Sequence, residues 1–255
     1  MLSVLSRAAI LIWLLAGSGP VLAQAPVVSP RVLASLPHDR HAFTQGLLWH
    51  AGALYESTGG YGGSSLRRVD PQSGRVLAVR WLAPTLFGEG LARVGGALFQ
   101  LTWKENRLLV YDAASLALVR TLSYPYEGWG ATWNGRHLIV SDGSSRLRFL
   151  EPDTLALRRT LVVRDGTTPV AMLNELEWAS GELLANVYGK PRIARIDPAS
   201  GRLRGWLDLS PLVPRETRAD PEAVANGIAY DPRRHVLYVT GKRWPVLFKL
   251  AWPES

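Results

Sequence analysis

One strand pattern returns five times along this chain, and that repetition constrains the fold more than any other feature of the sequence. Each copy opens with a polar or aromatic residue before a small one at the head of an apolar strand. A Gly turn, an alternating strand, a polar loop, a third strand, a tight turn and a fourth strand follow. The openings align as Gln45-Gly46-Leu47, Glu89-Gly90-Leu91, Trp129-Gly130-Ala131, Asn174-Glu175-Leu176 and Asn226-Gly227-Ile228. They lie 44, 40, 45 and 52 residues apart, the period of a four-stranded propeller blade. The turns recur too: Asp70-Pro-Gln-Ser-Gly74 and Asp197-Pro-Ala-Ser-Gly201 are near copies, and Asp112 to Leu116 and Glu151 to Leu155 fill the same slot. Asp, Pro, Ser and Gly are the residues such turns require.

The fifth copy supplies only three strands before the chain ends. The apolar stretch Pro30-Arg-Val-Leu-Ala-Ser-Leu36 stands ahead of the first copy without a partner. Pairing it with the last blade would close the ring and remove two exposed sheet edges. The expected fold is therefore all-β, a five-bladed propeller closed by the N-terminal strand, with residues 24–255 as one domain.

Composition narrows the function. At 47% apolar and 20% charged residues, the chain is an ordinary globular one. It has no Cys, which removes thiol nucleophiles and disulfides. The formal charge is +8, but the cations are scattered, and the pairs Arg67-Arg68, Arg158-Arg159 and Arg233-Arg234 are expected in or near turns. Without a basic stripe, a nucleic-acid partner is not indicated. Residues 1–23 carry one early Arg7, an apolar run from Ala8 to Ala16, and Val21 and Ala23 at the −3 and −1 positions. This reads as a cleavable signal peptide cut after Ala23 or Ala25, too short in its apolar part to span a bilayer. The mature protein is expected in the periplasm or secreted, off the membrane and monomeric.

In a propeller, the starts of the inner strands and the loops after the second strands meet at one mouth of the central channel. That rule gathers Gln45, Glu89, Trp129, Asn174 and Asn226 with the loops around Gly59 to Gly63, Trp103, Asp142, Tyr188 and Lys242. A carboxylate, amides, an ammonium and aromatic rings in one pocket suit a small polar ligand. Each residue also has a structural role open to it: Glu89 as an acceptor for backbone N–H groups, the two asparagines as satisfied channel amides, the aromatics as rim packing. Lys242 is harder to dismiss, because the chain uses Arg for 25 of its 29 cations. No Gly-x-Ser-x-Gly elbow occurs. Gly59 to Gly63 precedes no helix and makes a poor phosphate cradle, and His38-Asp-Arg-His41 is a weak metal candidate. His50, His137 and His235 fall in turns expected on the opposite face. Two other functions fit the same ring: a lactonase-like hydrolase with Glu89, Asn174 and Asn226 as oxygen ligands of a divalent cation, and a non-enzymatic peptide-binding propeller.

Those two stay as rivals to a third reading, which rests on ten motifs in order. They are Ala42-Phe-Thr-Gln-Gly-Leu47, Glu56-Ser-Thr-Gly with Tyr61-Gly-Gly-Ser-Ser-Leu66, Phe87-Gly-Glu-Gly-Leu91, Leu101-Thr-Trp-Lys104, Tyr126-Glu-Gly-Trp-Gly130, Ser141-Asp-Gly-Ser-Ser145, Asn174-Glu-Leu-Glu-Trp178, Ala185-Asn-Val-Tyr188, Asn226-Gly-Ile-Ala-Tyr230 and Thr240-Gly-Lys242. Together, over residues 30 to 251, the sequence resembles the plant and bacterial glutaminyl-peptide cyclotransferases, a five-bladed propeller family. The resemblance implies conversion of an N-terminal Gln of peptides or proteins to pyroglutamate with loss of ammonia, without metal or cofactor. It implies Glu89 as the catalytic carboxylate, Asn174 and Lys242 as groups that orient and polarise the substrate, and Phe43, Gln45, Phe87, Trp103 and Trp129 as pocket lining. Tyr188 completes the lining where the family commonly has Trp.

The chemistry such a resemblance implies needs no enzyme nucleophile, because the substrate's α-amine attacks its own γ-amide. It does need a base for an ammonium of pKa near 8 and an acid for the leaving ammonia. Burial would raise Glu89 toward that range and a nearby Lys242 would lower it again; the sequence leaves the balance open.

Overall fold

The computed structural model describes residues 23–253, and all but the last residue of the expected signal peptide lies outside them. Four blade strands make up each of five antiparallel sheets, and blades 1 to 4 run from inner to outer strand in chain order. The inner strands are Thr44–His50, Gly88–Val94, Ala131–Trp133, Leu173–Ala179 and Ala225–Asp231. Blade 5 takes its outer strand from Val32–Pro37, which pairs antiparallel with Val246–Ala251, Leu36 opposite Leu247.

The period-2 alternation of each strand explains the core. Adjacent residues point to opposite faces of a blade, so Leu47 packs toward blade 5 and Leu48 toward blade 2. In the same way Leu183 faces blade 3 and Leu184 faces blade 5. Five apolar clusters result, each filling one gap between neighbouring blades, including the gap between blades 5 and 1. Burying a Leu in such a gap is worth about 1.5–3 kcal/mol over leaving it exposed.

Near the axis the backbones come too close for side chains. A Cβ on Gly46 would strike Leu91, one on Gly90 would strike Ala131, and one on Gly130 would strike the Asn174 carbonyl. The fourth repeat breaks the Gly pattern with Glu175, a buried carboxyl that spans the axis and accepts from the Leu47 N–H at 3.1 Å and the Ile228 N–H at 2.9 Å. Glu175 thus ties blade 4 to blades 1 and 5.

Three pieces have no counterpart in the sequence reading. Val27–Val28 adds a parallel fifth strand outside blade 4. A short hairpin joins Arg164–Asp165 to Thr168–Pro169. The 52-residue spacing reflects an insertion between blades 4 and 5 that holds two 3₁₀ turns, Ser210–Leu212 and Arg215–Thr217. Two of the arginine pairs stand beside turns rather than in them. Arg67-Arg68 and Arg158-Arg159 lie within strands Ser65–Val69 and Leu157–Val162. Arg67 is buried because Asp39 supplies it with a partner at 2.7 Å.

Candidate active site

Four of the five inner strands carry a register shift at the same place, between Thr44 and Gly46, Gly88 and Leu91, Leu173 and Leu176, and Ala225 and Ile228. A bulge inserts a residue that does not pair across the ladder and re-aims its side chain. Here it turns Gln45, Glu89 and Asn174 toward one channel mouth. There they line a cavity of about 370 Å³ with Phe43, Phe87, Trp103, Trp129, Tyr188, Glu222 and Lys242. All nine residues singled out in the sequence as catalytic or lining therefore share one wall, although 89, 174 and 242 come from three different blades.

The aromatic part of the wall is a connected set. Phe87 meets Phe43 edge-on at 6.2 Å between ring centres and Trp103 at 5.5 Å, while Trp129 meets Tyr188 edge-on at 5.9 Å. Glu127 fixes both indoles, accepting from Trp103 Nε1 at 2.6 Å and Trp129 Nε1 at 3.0 Å. Tyr188 donates its hydroxyl to Glu222 at 3.2 Å.

The polar part is a short chain. Asn226 Nδ2 donates to Gln45 Oε1 at 3.3 Å, and Gln45 Nε2 donates to Glu89 Oε1 at 2.8 Å. Glu89 is 4% exposed. Burial pushes its carboxyl well above the usual carboxylate range, Lys242 pulls it back, and Glu127 and Glu105 push it further up. Burial wins the balance that the sequence left open. Lys242 is also buried, its Nζ 4.6 Å from the Phe43 ring centre and 5.1 Å from that of Tyr188. Desolvation lowers its pKa against the raising pull of Glu89 and Glu222. Asn174 lines this wall, and its buried Oδ1 has no hydrogen-bond partner in the protein.

Some expected members stand elsewhere. Asn226 lies behind Gln45 rather than on the wall, its Nδ2 engaged also by the Thr44 carbonyl at 2.9 Å. Asp142 turns to Arg148 and the Ser144 hydroxyl, and its neighbour Gly143 packs under the Trp129 ring. Gly59 packs against Phe87. Among the described residues, no group of three His, Cys, Asp or Glu side chains could hold a metal ion. His38 instead pairs with Glu56 at 3.0 Å. Glu222 was missed because it belongs to the insertion before blade 5, which no other repeat mirrors; the long spacing was the one available signal.

A closed five-bladed ring that gathers a carboxyl of raised pKa, an ammonium of lowered pKa and a collar of aromatics at one mouth is a propeller whose channel holds groups suited to acid–base chemistry. Sequence comparison makes the class specific: the family model described as glutamine cyclotransferase matches residues 5–252, and the chain belongs to that family. The chain is 41% identical over 228 residues to the glutaminyl-peptide cyclotransferase of Arabidopsis thaliana, covering 88% of this chain and 71% of that protein. Its fold superposes on the crystal structure of Myxococcus xanthus glutaminyl cyclase with a TM-score of 0.82 at 37% identity, covering 89% of this chain and 97% of the other.

Proposed function

We propose that the protein converts the N-terminal Gln of peptides or proteins to pyroglutamate and releases ammonia, with Glu89 moving the protons. The observation that carries this reading is a buried, upshifted carboxyl sharing one aromatic cavity with Asn174 and Lys242. The α-amine nitrogen attacks the side-chain amide carbon, forming the ring C–N bond. Glu89 accepts the proton the amine gives up and returns it to the amide nitrogen, which leaves as ammonia as its C–N bond breaks. An unperturbed Glu near 4.3 would face an uphill transfer of almost four pKa units, about 5 kcal/mol, from an ammonium near 8. Burial shrinks that gap.

Asn174 and Lys242 donate to the amide oxygen as it gains negative charge, a contribution of the oxyanion type. The orphaned Asn174 Oδ1 complements the N–H groups of a primary amide. The aromatic walls hold the substrate folded on itself, which supplies the orientation term. Gln45 is a positioning residue, since its amide fixes one Glu89 oxygen and leaves the other for the substrate.

The proposed unit is the monomer. The leader pattern in residues 1–23 supports an exported enzyme acting in the periplasm or outside the cell. Incubation with a Gln-initiated dipeptide, assayed for ammonia and pyroglutamyl product, tests the reading; absence of both overturns it. Loss of turnover on dialysis against EDTA would restore the oxygen-ligand hydrolase.

A further inference from the structure

The mouth of this cavity differs in sign from the rest of the protein. The chain as a whole carries +8. Yet three carboxylates from three separate parts of the ring border the site, each held by a wall residue or, for Glu105, by Tyr61, which packs on Phe87 of the wall. Glu105 follows the second strand of blade 2 and accepts from the Tyr61 hydroxyl at 2.7 Å. Glu127 precedes the inner strand of blade 3 and takes both indole N–H groups. Glu222, in the insertion before blade 5, accepts from Tyr188 and lines the cavity. Glu105 and Glu127 lie close enough to act on Glu89, and Glu222 close enough to act on Lys242.

Two cations stand at the same edge. Arg243 is neutralised by Asp220 at 2.6 Å, and Lys104 lies over the Trp103 ring at 3.9 Å. Counting Asp220 and the buried Lys242 of the wall, four negative charges face three positive ones. The carboxylates surround a cavity whose buried Asn174 Oδ1, 3% exposed as a residue, still lacks a donor, so the negative border encircles a site already poised to accept N–H groups.

We propose that Glu105, Glu127 and Glu222 form an acidic collar that selects peptides with a basic residue immediately after the N-terminal Gln and disfavours those with an acidic one. This rests on the cyclisation reading, which puts the Gln side chain inside the cavity and sends the rest of the peptide out across the collar. Exposed charges act weakly one at a time and are screened by salt, but three of one sign around one exit act together.

The test compares kcat/KM for Gln-Lys-amide, Gln-Ala-amide and Gln-Glu-amide at low salt and at 0.5 M NaCl, roughly a 4 Å screening length. The expected order is Lys, Ala, Glu, with a spread of about tenfold at low salt that falls below about threefold at high salt. Within each variant the Lys-to-Glu ratio is read, so any loss of basal turnover divides out. Glu222→Gln and Glu127→Gln each narrow the ratio, and Lys104→Ala widens it. Equal kcat/KM for the three peptides at low salt, or ratios unmoved in all three variants, overturns the collar. If none of the peptides released ammonia, the cyclisation reading would fall instead, and the order of affinities, followed by quenching of Trp103 and Trp129 fluorescence, would still decide the charge preference.

Discussion

Two buried glutamates, Glu56 on the second strand of blade 1 and Glu89 on the inner strand of blade 2, show how the same side chain becomes either a fastener or a proton carrier. Both are almost fully inaccessible, at 2% and 4% exposure, and burial alone would raise both pKa values. The partners differ. Glu56 receives His38 Nε2 at 3.0 Å and the Thr44 hydroxyl at 2.7 Å, with Arg67 at 3.9 Å. These outweigh desolvation, led by the charge of His38, and hold the group below its ordinary value. Glu89 has the neutral Gln45 amide on one oxygen, while Lys242 attracts it across the cavity. A carboxyl bound tightly to a cation cannot exchange protons readily; one left with a neutral donor can.

Glu89→Gln gives the largest difference between the two. Its kcat should fall by about 10³-fold, within the range of general acid–base catalysis, while the melting temperature shifts little. In the intact enzyme, kcat/KM should rise with pH through a value above the ordinary carboxylate range, as Glu89 ionises. It should fall again below the ordinary lysine range, as Lys242 loses its proton. A profile flat from pH 5 to 9 would remove both groups from the chemistry.

Glu56→Gln should reverse the pattern. It strands a charged, buried His38, and breaking a buried pair from one side costs about 3–5 kcal/mol, measurable by urea unfolding, while kcat per folded molecule stays within a few-fold. The double variant with His38→Gln should recover part of that loss. If Glu56→Gln lost activity as Glu89→Gln does, with stability intact, the division of labour would be wrong.

A smaller effect separates these two from the axial carboxyls by pH. His38 is raised, despite burial, chiefly by Glu56, so its contribution is complete below about 6.5 and lost as pH climbs through its folded value. Glu56 is lowered, so its contribution is complete above about 4.5 and lost as pH falls. Glu177 is pushed by burial up to about 8. The folded protein therefore keeps a proton that the unfolded chain releases, and stability declines from about pH 4.5 to 8, by at most about 1.4 kcal/mol per unit. Glu177→Gln should lessen that decline in melting temperature, leaving the share that Glu89 and Glu175, both raised by burial, contribute. An unchanged slope would mean that Glu177 is solvated in the folded state.

What the sequence disclosed follows the repeat. Glu89, Asn174 and Lys242 could be assembled because blade period and turn chemistry set their positions relative to the axis, whatever their separation along the chain. Asn226 was placed one layer too far forward: its strand start was correct, but the hydrogen bonds to Thr44 and Gln45 that hold it back join residues 182 and 181 positions apart. The His38 and Glu56 pair was hidden for a related reason. A histidine in a loop beside Asp39 and His41 reads as exposed, and only the closure of the ring buries it, with the Trp244 carbonyl 2.6 Å from its Nδ1. Arg67 was rightly placed near a turn, but its burial was hidden for the same reason, since its partner Asp39 lies outside the strand.

The smallest expected effect lies at Tyr188. Its ring packs edge-on against Trp129 and lies 5.1 Å from the Lys242 ammonium, and both contacts survive in Tyr188→Phe. Only the hydroxyl's bond to Glu222, at 3.2 and 3.4 Å to the two oxygens, is lost. That bond is exposed, so its net worth is about 0.5–1.5 kcal/mol, and Glu222 gains freedom at the rim rather than an unpaired buried charge. We expect KM for Gln-Ala-amide to rise no more than about threefold and kcat to stay within about twofold. A tenfold drop in kcat would put the Tyr188 hydroxyl, already shifted upward by burial and by Glu222, in the path of the proton, and Glu89 would no longer be its sole carrier.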